Sequence, residues 1–442
     1  MWSRILFVIS SVTYAVAFQS SSSSQQSLHV STTPKQHSFI PANYRLLKRT
    51  TLFETKEAEV DPFEGMSDER KENLFQALLR DLQIEGTPVL GCDANAVHTM
   101  SAAVWTTMAE VSENDEESKV CLVMESIPLG ALKAFVEDFT VLKTQDRLMV
   151  GLKELKRLSV SLVGKGVGPA LIIESTKRTE EEVAEKAART HDFDEQKCIA
   201  ALQSFIDRIV VNEEACPYTK NINLSATGLE KKGITPGPVA YRFNASSDAC
   251  AAVGMFWNCV CELLSKPQEE ISTTMLSLPG IGNGTSPEAL VRFAAVVELI
   301  SRNLCLFRGD DVFGLVHFHP AYDRTAIHPI DKPAYGHLPP RKWLRPMLKM
   351  NGNIKESENL SEDDIALSDY QRKAPLTAIN ILRVDQLNAA AGAKSIVDLE
   401  VSDGVFEKAS GITTYSRNAI RLAKAGKEAL EAGLQADLAM LK

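Results

Sequence analysis

Positive charge is in short supply: 48 Lys and Arg stand against 57 Asp and Glu, a formal net charge of -9. No basic stripe offsets the excess, which argues against a nucleic-acid partner, because a phosphate backbone is gripped by clustered cations. The chain has no CxxC. Its cysteines, at 92, 121, 198, 216, 250, 259, 261 and 305, fall largely inside apolar runs, where a thiol behaves as a small hydrophobe. Cys259 and Cys261 stand two apart on a predicted helix and point to different faces, which does not suit a zinc pair. A reduced compartment without a disulfide framework follows. The GxxxxGK[ST] spacing of a phosphate loop is missing too, and Gly164-Lys-Gly-Val-Gly168 reads as a plain turn. No run approaches the roughly 20 apolar residues that a spanning helix needs.

Acid is also missing from the front of the chain, where the first acidic residue is Glu54. Arg4 precedes a short apolar run, Ile5 to Ala17, ending in the small residues Ala15-Val-Ala17 that a signal peptidase accepts. From Phe18 to Phe53 the chain is rich in Ser, Thr and Gln and carries Lys35, Arg45, Lys48 and Arg49. Residues 1–17 are read as a signal peptide and 18–60 as an unstructured transit segment and linker. Together they resemble the bipartite presequence of algae with complex plastids, in which a Phe follows the cleavage site as Phe18 does here. Secretion is the alternative. After removal of the presequence no membrane contact is expected.

The rest has an ordinary globular composition, 44% hydrophobic and 24% charged over 442 residues, with room for two or three domains. Periodicity predicts strands at 87–91, 119–125 and 170–174 between helices at 94–110 and 129–158. A second run repeats the theme: helix 195–211, strand 239–243, helix 247–264, strand 272–278, helix 286–307 and strand 312–319. A polar, Pro-rich excursion follows from Asp331 to Arg372. Strand 378–384 comes next, and helices finish the chain. The fold class is therefore α/β, with mostly parallel sheets flanked by helices and an N-terminal unit at 67–178. A C-terminal domain spans 194–432 with an insertion at 334–372. Two readings of their likeness stand, distant duplication or chance: Trp105 and Trp257 fall in matching helices and Pro128 and Pro279 end the next strand, but such identities are few. On that alignment Ile172 and Glu174 of the first unit stand where the second has His317 and His319.

Phe313-Gly-Leu-Val-His-Phe-His-Pro-Ala-Tyr322 is an apolar run ending in imidazoles and a proline. Ligands of α/β proteins bind beyond the carboxyl ends of strands, so His319 is expected at the rim of a pocket. The same segment, with others in order, resembles the uncharacterised family called domain of unknown function 1415, over about residues 195–430. Ala215-Cys-Pro-Tyr218 is similar to the family's Leu-Cys-Pro-Phe, Thr273-Thr-Met-Leu276 to its Thr-Thr-Leu-Leu-Val strand, and His317–Tyr322 to its Ser-Phe-His-Pro-x-Tyr. Asp331-Lys-Pro333 resembles its acidic-Pro step, Lys373–Arg383 its Arg-Ser-Pro-Tyr-Pro-x-Leu-His-Leu-Leu-Arg, and Tyr415-Ser-Arg-Asn418 its Tyr-x-Arg-Asn. The chain departs from the family where His317 replaces Ser, Asn380 replaces His and Lys373 replaces Arg. The resemblance supplies positions and no reaction.

From these residues a candidate site follows. His319 is the expected acid–base group and Cys216 the expected nucleophile. Cys216 is inert if it ends the preceding helix and activated if Pro217 opens a new one. Arg383, Lys373 and Arg242, at strand ends or edges, suit a carboxylate or phosphate. Tyr322, Asn380, Tyr415 and Arg417 are further binding candidates. His317 and His319, with Asp323, His328, Asp331 and His337 downstream, could furnish a metal site, but the spacing fits no established zinc pattern. The cofactor is unknown. The leading reading is a plastid protein whose strand-end pocket binds a small anionic molecule, with His/Cys acid–base or thiol chemistry. The alternatives are a non-enzymatic binding or assembly module, docking a protein partner through 334–372, and a metal-dependent hydrolase.

Overall fold

A computed structural model describes residues 89–442 apart from 93, 125, 164–168, 328–337 and 392–395, with residue 391 described by its backbone alone. The elements that position the site are, in order, β1 (Val89–Gly91), α1 (Val97–Glu113), β2 (Ser118–Val123), α2 (Leu129–Lys143), β3 (Leu158–Val163) and β4 (Ala170–Ser175). They continue with α3 (Glu195–Phe205), β5 (Leu224–Ser225), β6 (Gly237–Phe243), α4 (Ala249–Ser265), β7 (Thr273–Ser277), α5 (Pro287–Leu306) and β8 (Phe313–Phe318). Last come α6 (Arg341–Met350), β9 (Ala378–Arg383), β10 (Val397–Ser402), β11 (Val405–Ala409), α7 (Ile412–Ala425) and α8 (Lys427–Ala439). Cap chemistry sets several of these boundaries. The Asp248 carboxylate accepts the Cys250 and Ala251 N–H groups at the start of α4, and Ser286 caps α5 ahead of Pro287.

The two units have one topology. The first sheet runs β1-β2-β4-β3 and the second β6-β7-β9-β8, with β5 added outside β6. In each, the first two strands are parallel, and the last strand in sequence lies antiparallel between its neighbours. The helices after β1 and β6 are both 17 residues long, and Trp105 and Trp257 hold the same position in each. Both indole N–H groups donate to one acceptor, Asn303 Oδ1, at 3.0 and 2.7 Å. Ser112, near the end of α1, donates to the Asp248 cap of α4 at 2.6 Å, so the two helices run antiparallel. They touch closely at Gly254, where a Cβ would stand 3.1 Å from the Thr106 nitrogen.

The sheets are mixed rather than mostly parallel. The excursion after β8 begins and ends at the same rim, so β9 re-enters the sheet reversed and fills the gap that the β7–α5–β8 crossover leaves. The stretch read as helix to Leu158 gives way to β3, and the chain ends with a hairpin, β10–β11, among its helices. Because β3 is the counterpart of β8, and Val163 pairs with Ala170 as Phe318 pairs with Ala378, His317 corresponds to Leu162 and not to Ile172.

One core takes Leu122 and Leu171 from the first sheet, Trp105, Phe135, Trp257 and Phe293 from the helices, and Leu276, Leu315 and Ile379 from the second sheet. The opposite face of the second sheet carries another core, in which Met275, Phe318 and Ala378 meet Phe205 and Leu422. The described part of the excursion is no loose loop. Trp343, Met347 and Ile365 form a satellite core with Leu399, Ala409 and the partly buried Tyr415.

Candidate functional site

His319 does not open into a hollow. Its residue is 0% exposed, its ring stacks on Phe293 at 5.2 Å, and both ring nitrogens are used. Nδ1 accepts the Ala321 N–H at 3.0 Å, which leaves Nε2 as the proton carrier, donating to Gly282 O at 2.7 Å. Burial lowers its pKa from 6.5 to about 4, although the carbonyls of Gly282 and Ala289 oppose that shift. The imidazole is a neutral tie between the end of β8 and the glycine turn that leads to α5.

Arg383 does not stand beside His319: it pairs with Phe313, at the start of β8, so β9's direction puts it at the far rim, about 20 Å along the strand from His319. There its Nη2 donates to the carbonyls of Leu263, Lys266 and Ile271, closing the carboxyl end of α4, and burial lowers its pKa. Arg242 is neutralised by a fork with Glu262, its Nε donating at 2.8 Å. Tyr322 is 0% exposed, with its hydroxyl accepting the Leu338 N–H at 3.4 Å, and burial raises its pKa. Asn380 accepts the Thr273 hydroxyl at 2.5 Å on the face towards the second core. Tyr415 packs in the satellite core, its ring against Gly411. None of these five reaches a shared pocket with His319. Among the described residues no three His, Cys, Asp or Glu side chains gather as a metal would need, and His328, Asp331 and His337 lie outside the described residues.

Cys216 stands apart from His319 as well. The imidazole belongs to the face that packs on α5, whereas the segment before Cys216 packs on the opposite core. Helix α3 continues into a π-helical turn, Ile206–Asn212, and then into Glu214 at φ 47°. Left-handed backbone at a residue other than Gly, and a π turn, each tend to mark functional positions. The Ala215 and Cys216 N–H groups reach back to Ile209 O at 3.2 Å and Val210 O at 3.4 Å. Cys216 thus follows the carboxyl end of a helix, which is the first of the two arrangements weighed for it.

Helix α7 holds this turn with three polar side chains. Arg417 Nη2 donates to Glu214 O at 2.7 Å, Asn418 Nδ2 to Ala215 O at 2.8 Å, and Arg421 Nη1 to Glu213 O at 3.2 Å. Arg421 also pairs with the Glu214 carboxylate at 2.7 Å. Asn418 Nδ2 donates again, at 2.6 Å, to Gln371 Oε1. One buried amide therefore joins three segments whose adjacent residues are Cys216, Arg372 and Arg417. The Arg372 guanidinium lies over the Phe318 ring, 5.4 Å from its centroid, and its Nε is buried without a partner. Lys373, next to it, lies over the Tyr370 ring at 4.4 Å. Among the described residues none of Arg372, Lys373 and Arg417 has a carboxylate within ion-pair distance. Burial, with Arg421 alongside, lowers the Arg417 pKa, although the Glu214 carboxylate opposes that shift. A surface depression of about 330 Å³, lined by Asn212, Glu213, Glu214, Arg421, Lys424 and Ala425, opens beside the π turn. Arg372 and Gln371 were missed in the sequence. The available signal was the pair Arg372-Lys373, two cations just before the last strand of the second sheet.

Residues 197–340, about a third of the chain, match the family described as "Protein of unknown function (DUF1415)". The expected resemblance is shown there, across the Cys-Pro, Thr-Thr-Met-Leu and His-Pro-Ala-Tyr segments. The match stops before Lys373, Asn380 and Tyr415–Asn418. No curated protein and no solved structure matches the chain.

Proposed function

We propose that the corner around Asn418 binds a small anionic molecule, a carboxylate or a phosphate, between Arg372 and Arg417, with Lys373 outside and the Cys216 thiol at its edge. The observation that carries this reading is charge without a counter-charge. Arg417 bonds the hub directly and Arg372 follows its partner Gln371; both are half-buried, in a protein with net charge -9, and among the described residues neither has a carboxylate within ion-pair distance, Glu214 favouring the Arg417 charge only from further off. Partly desolvated cations are costly unless paired, and an oxyanion held by guanidinium forks supplies the missing partner. The proposal is of a binding site. His319 is not its base, because its ring is sealed and neutral on the other face. The acid-free, Ser-rich first 53 residues support delivery to a complex plastid.

Thermal-shift measurements on the mature protein at pH 7 against inorganic phosphate and acetate test the site. Wild type should be stabilised by at least one of these anions, and Arg372→Gln should lose most of that gain while keeping the melting temperature of the anion-free protein. Equal stabilisation of both proteins would remove Arg372 from the site.

A further inference from the structure

The residue at the hub is an amide where an acid of the same shape would cancel the charge beside it. Asn418 is 1% exposed. Its Nδ2 donates to Ala215 O and Gln371 Oε1, and its Oδ1 accepts from Arg417 Nη2 at 3.1 Å. An aspartate here would lose both donations and pair with Arg417. Gln371 is likewise an amide, placed just before Arg372. Three acids of the adjoining segments have direct partners of their own: Glu214 bonds Arg421 at 2.7 Å, Asp369 bonds Arg341 at 2.5 Å, and Glu431 accepts the Tyr370 hydroxyl at 2.5 Å. The arrangement thus gives neither Arg372 nor Arg417 an ion pair, because the Glu214 carboxylate that favours the Arg417 charge is itself paired with Arg421, and a monocarboxylate would pair with only one of them.

Resting on the site proposed above, we infer that its ligand presents a doubly charged oxyanion of the phosphate-monoester kind, and that Asn418 is the positioning residue that keeps both guanidiniums unpaired for it. The two amides select for charge. They place no carboxylate of their own beside the cations while fixing the segments from which those cations project.

Equilibrium binding of sulfate and acetate at pH 8 and constant ionic strength, on the mature chain, tests this without proton uptake by either probe. Wild type should bind sulfate about tenfold or more tighter than acetate, since each added charge-assisted contact is worth that order. Asn418→Asp should lose about tenfold or more for sulfate and much less for acetate, a charge-selective loss that mere loosening of the fold would not produce. Gln371→Glu keeps an acceptor for Asn418 and should show the same selective loss, so the test survives if Asn418→Asp does not fold. Equal weakening of both anions by these variants would overturn the positioning role. Equal wild-type affinity for both anions would overturn the dianion. Absence of any anion binding to wild type would instead bring down the underlying site.

Discussion

At the residue scale, His319 shows how a side chain suited to catalysis becomes a structural one. The strand end before Pro320 was legible, because a residue ahead of proline is held extended. What closes over the ring was not, since Gly282 and Phe293 come from distant positions and reach His319 through the turn before α5. The consequence is a stability that depends on pH. The folded pKa of about 4 lies below the ordinary 6.5, so between these values the unfolded chain binds a proton that the folded chain does not. The neutral ring's contribution is complete above pH 6.5 and is lost as pH falls towards 4, a span worth roughly 3 kcal/mol. Urea unfolding from pH 7.5 to 4 should show this slope in wild type and a flatter one in His319→Gln, which has no titrating ring. Parallel slopes would mean that the imidazole titrates normally in the folded protein.

At the element scale, the antiparallel pair α1 and α4 is organised by one acceptor. The two tryptophans were visible as matching positions in matching helices. Their convergence on Asn303 was not, because that residue sits on α5 and carries no local signal. Asn303 is buried, so replacing it with Ala leaves two indole N–H groups dry and unpaired. At about 1–3 kcal/mol for each unsatisfied buried donor, Asn303→Ala should cost about 2–5 kcal/mol in chemical denaturation. A loss below about 0.5 kcal/mol would show that packing alone joins the helices. Other misreadings belong to this scale. Leu158-Ser-Val-Ser-Leu-Val163 alternates with period two and so announces β3, but the apolar helix before it drew the boundary too far. The hairpin β10–β11 was announced by Asp403-Gly404, with Gly404 at φ 70°.

At the scale of the whole molecule, the likeness of the two units and their asymmetry were readable to different depths. Two repeats of strand, helix and strand could be traced in the sequence, and the two sheets share one strand order. The direction of β9 could not be read from its own residues, because orientation depends on where the excursion returns, and Arg383 was misplaced for that reason. In the first unit only residues 164–169 separate β3 from β4, whereas 319–377 separate β8 from β9. The end of that excursion brings Gln371 and Arg372 to α7, so the proposed site uses parts that only the second unit has.

The halves are also joined by charge. Arg292 on α5 forks onto Glu154, from the segment before β3, with its Nη2 2.6 Å and its Nη1 3.2 Å from the carboxylate. Glu154 in turn accepts the Ala249 N–H at the start of α4 at 3.2 Å. Burial alone would raise the Glu154 pKa, and the guanidinium against it brings it below the ordinary value. Such a pair gains little over apolar side chains but is expensive to break, because removing one partner strands the other charge away from water. Arg292→Leu should therefore cost about 3–5 kcal/mol, whereas Glu154→Leu with Arg292→Leu should recover a large part of that loss. Because the first core draws side chains from both sheets, tryptophan fluorescence and far-ultraviolet dichroism should report one coincident unfolding transition in wild type. Two separated transitions in wild type would show that the units fold independently, and a double variant no more stable than Arg292→Leu would show that the pair does more than neutralise itself.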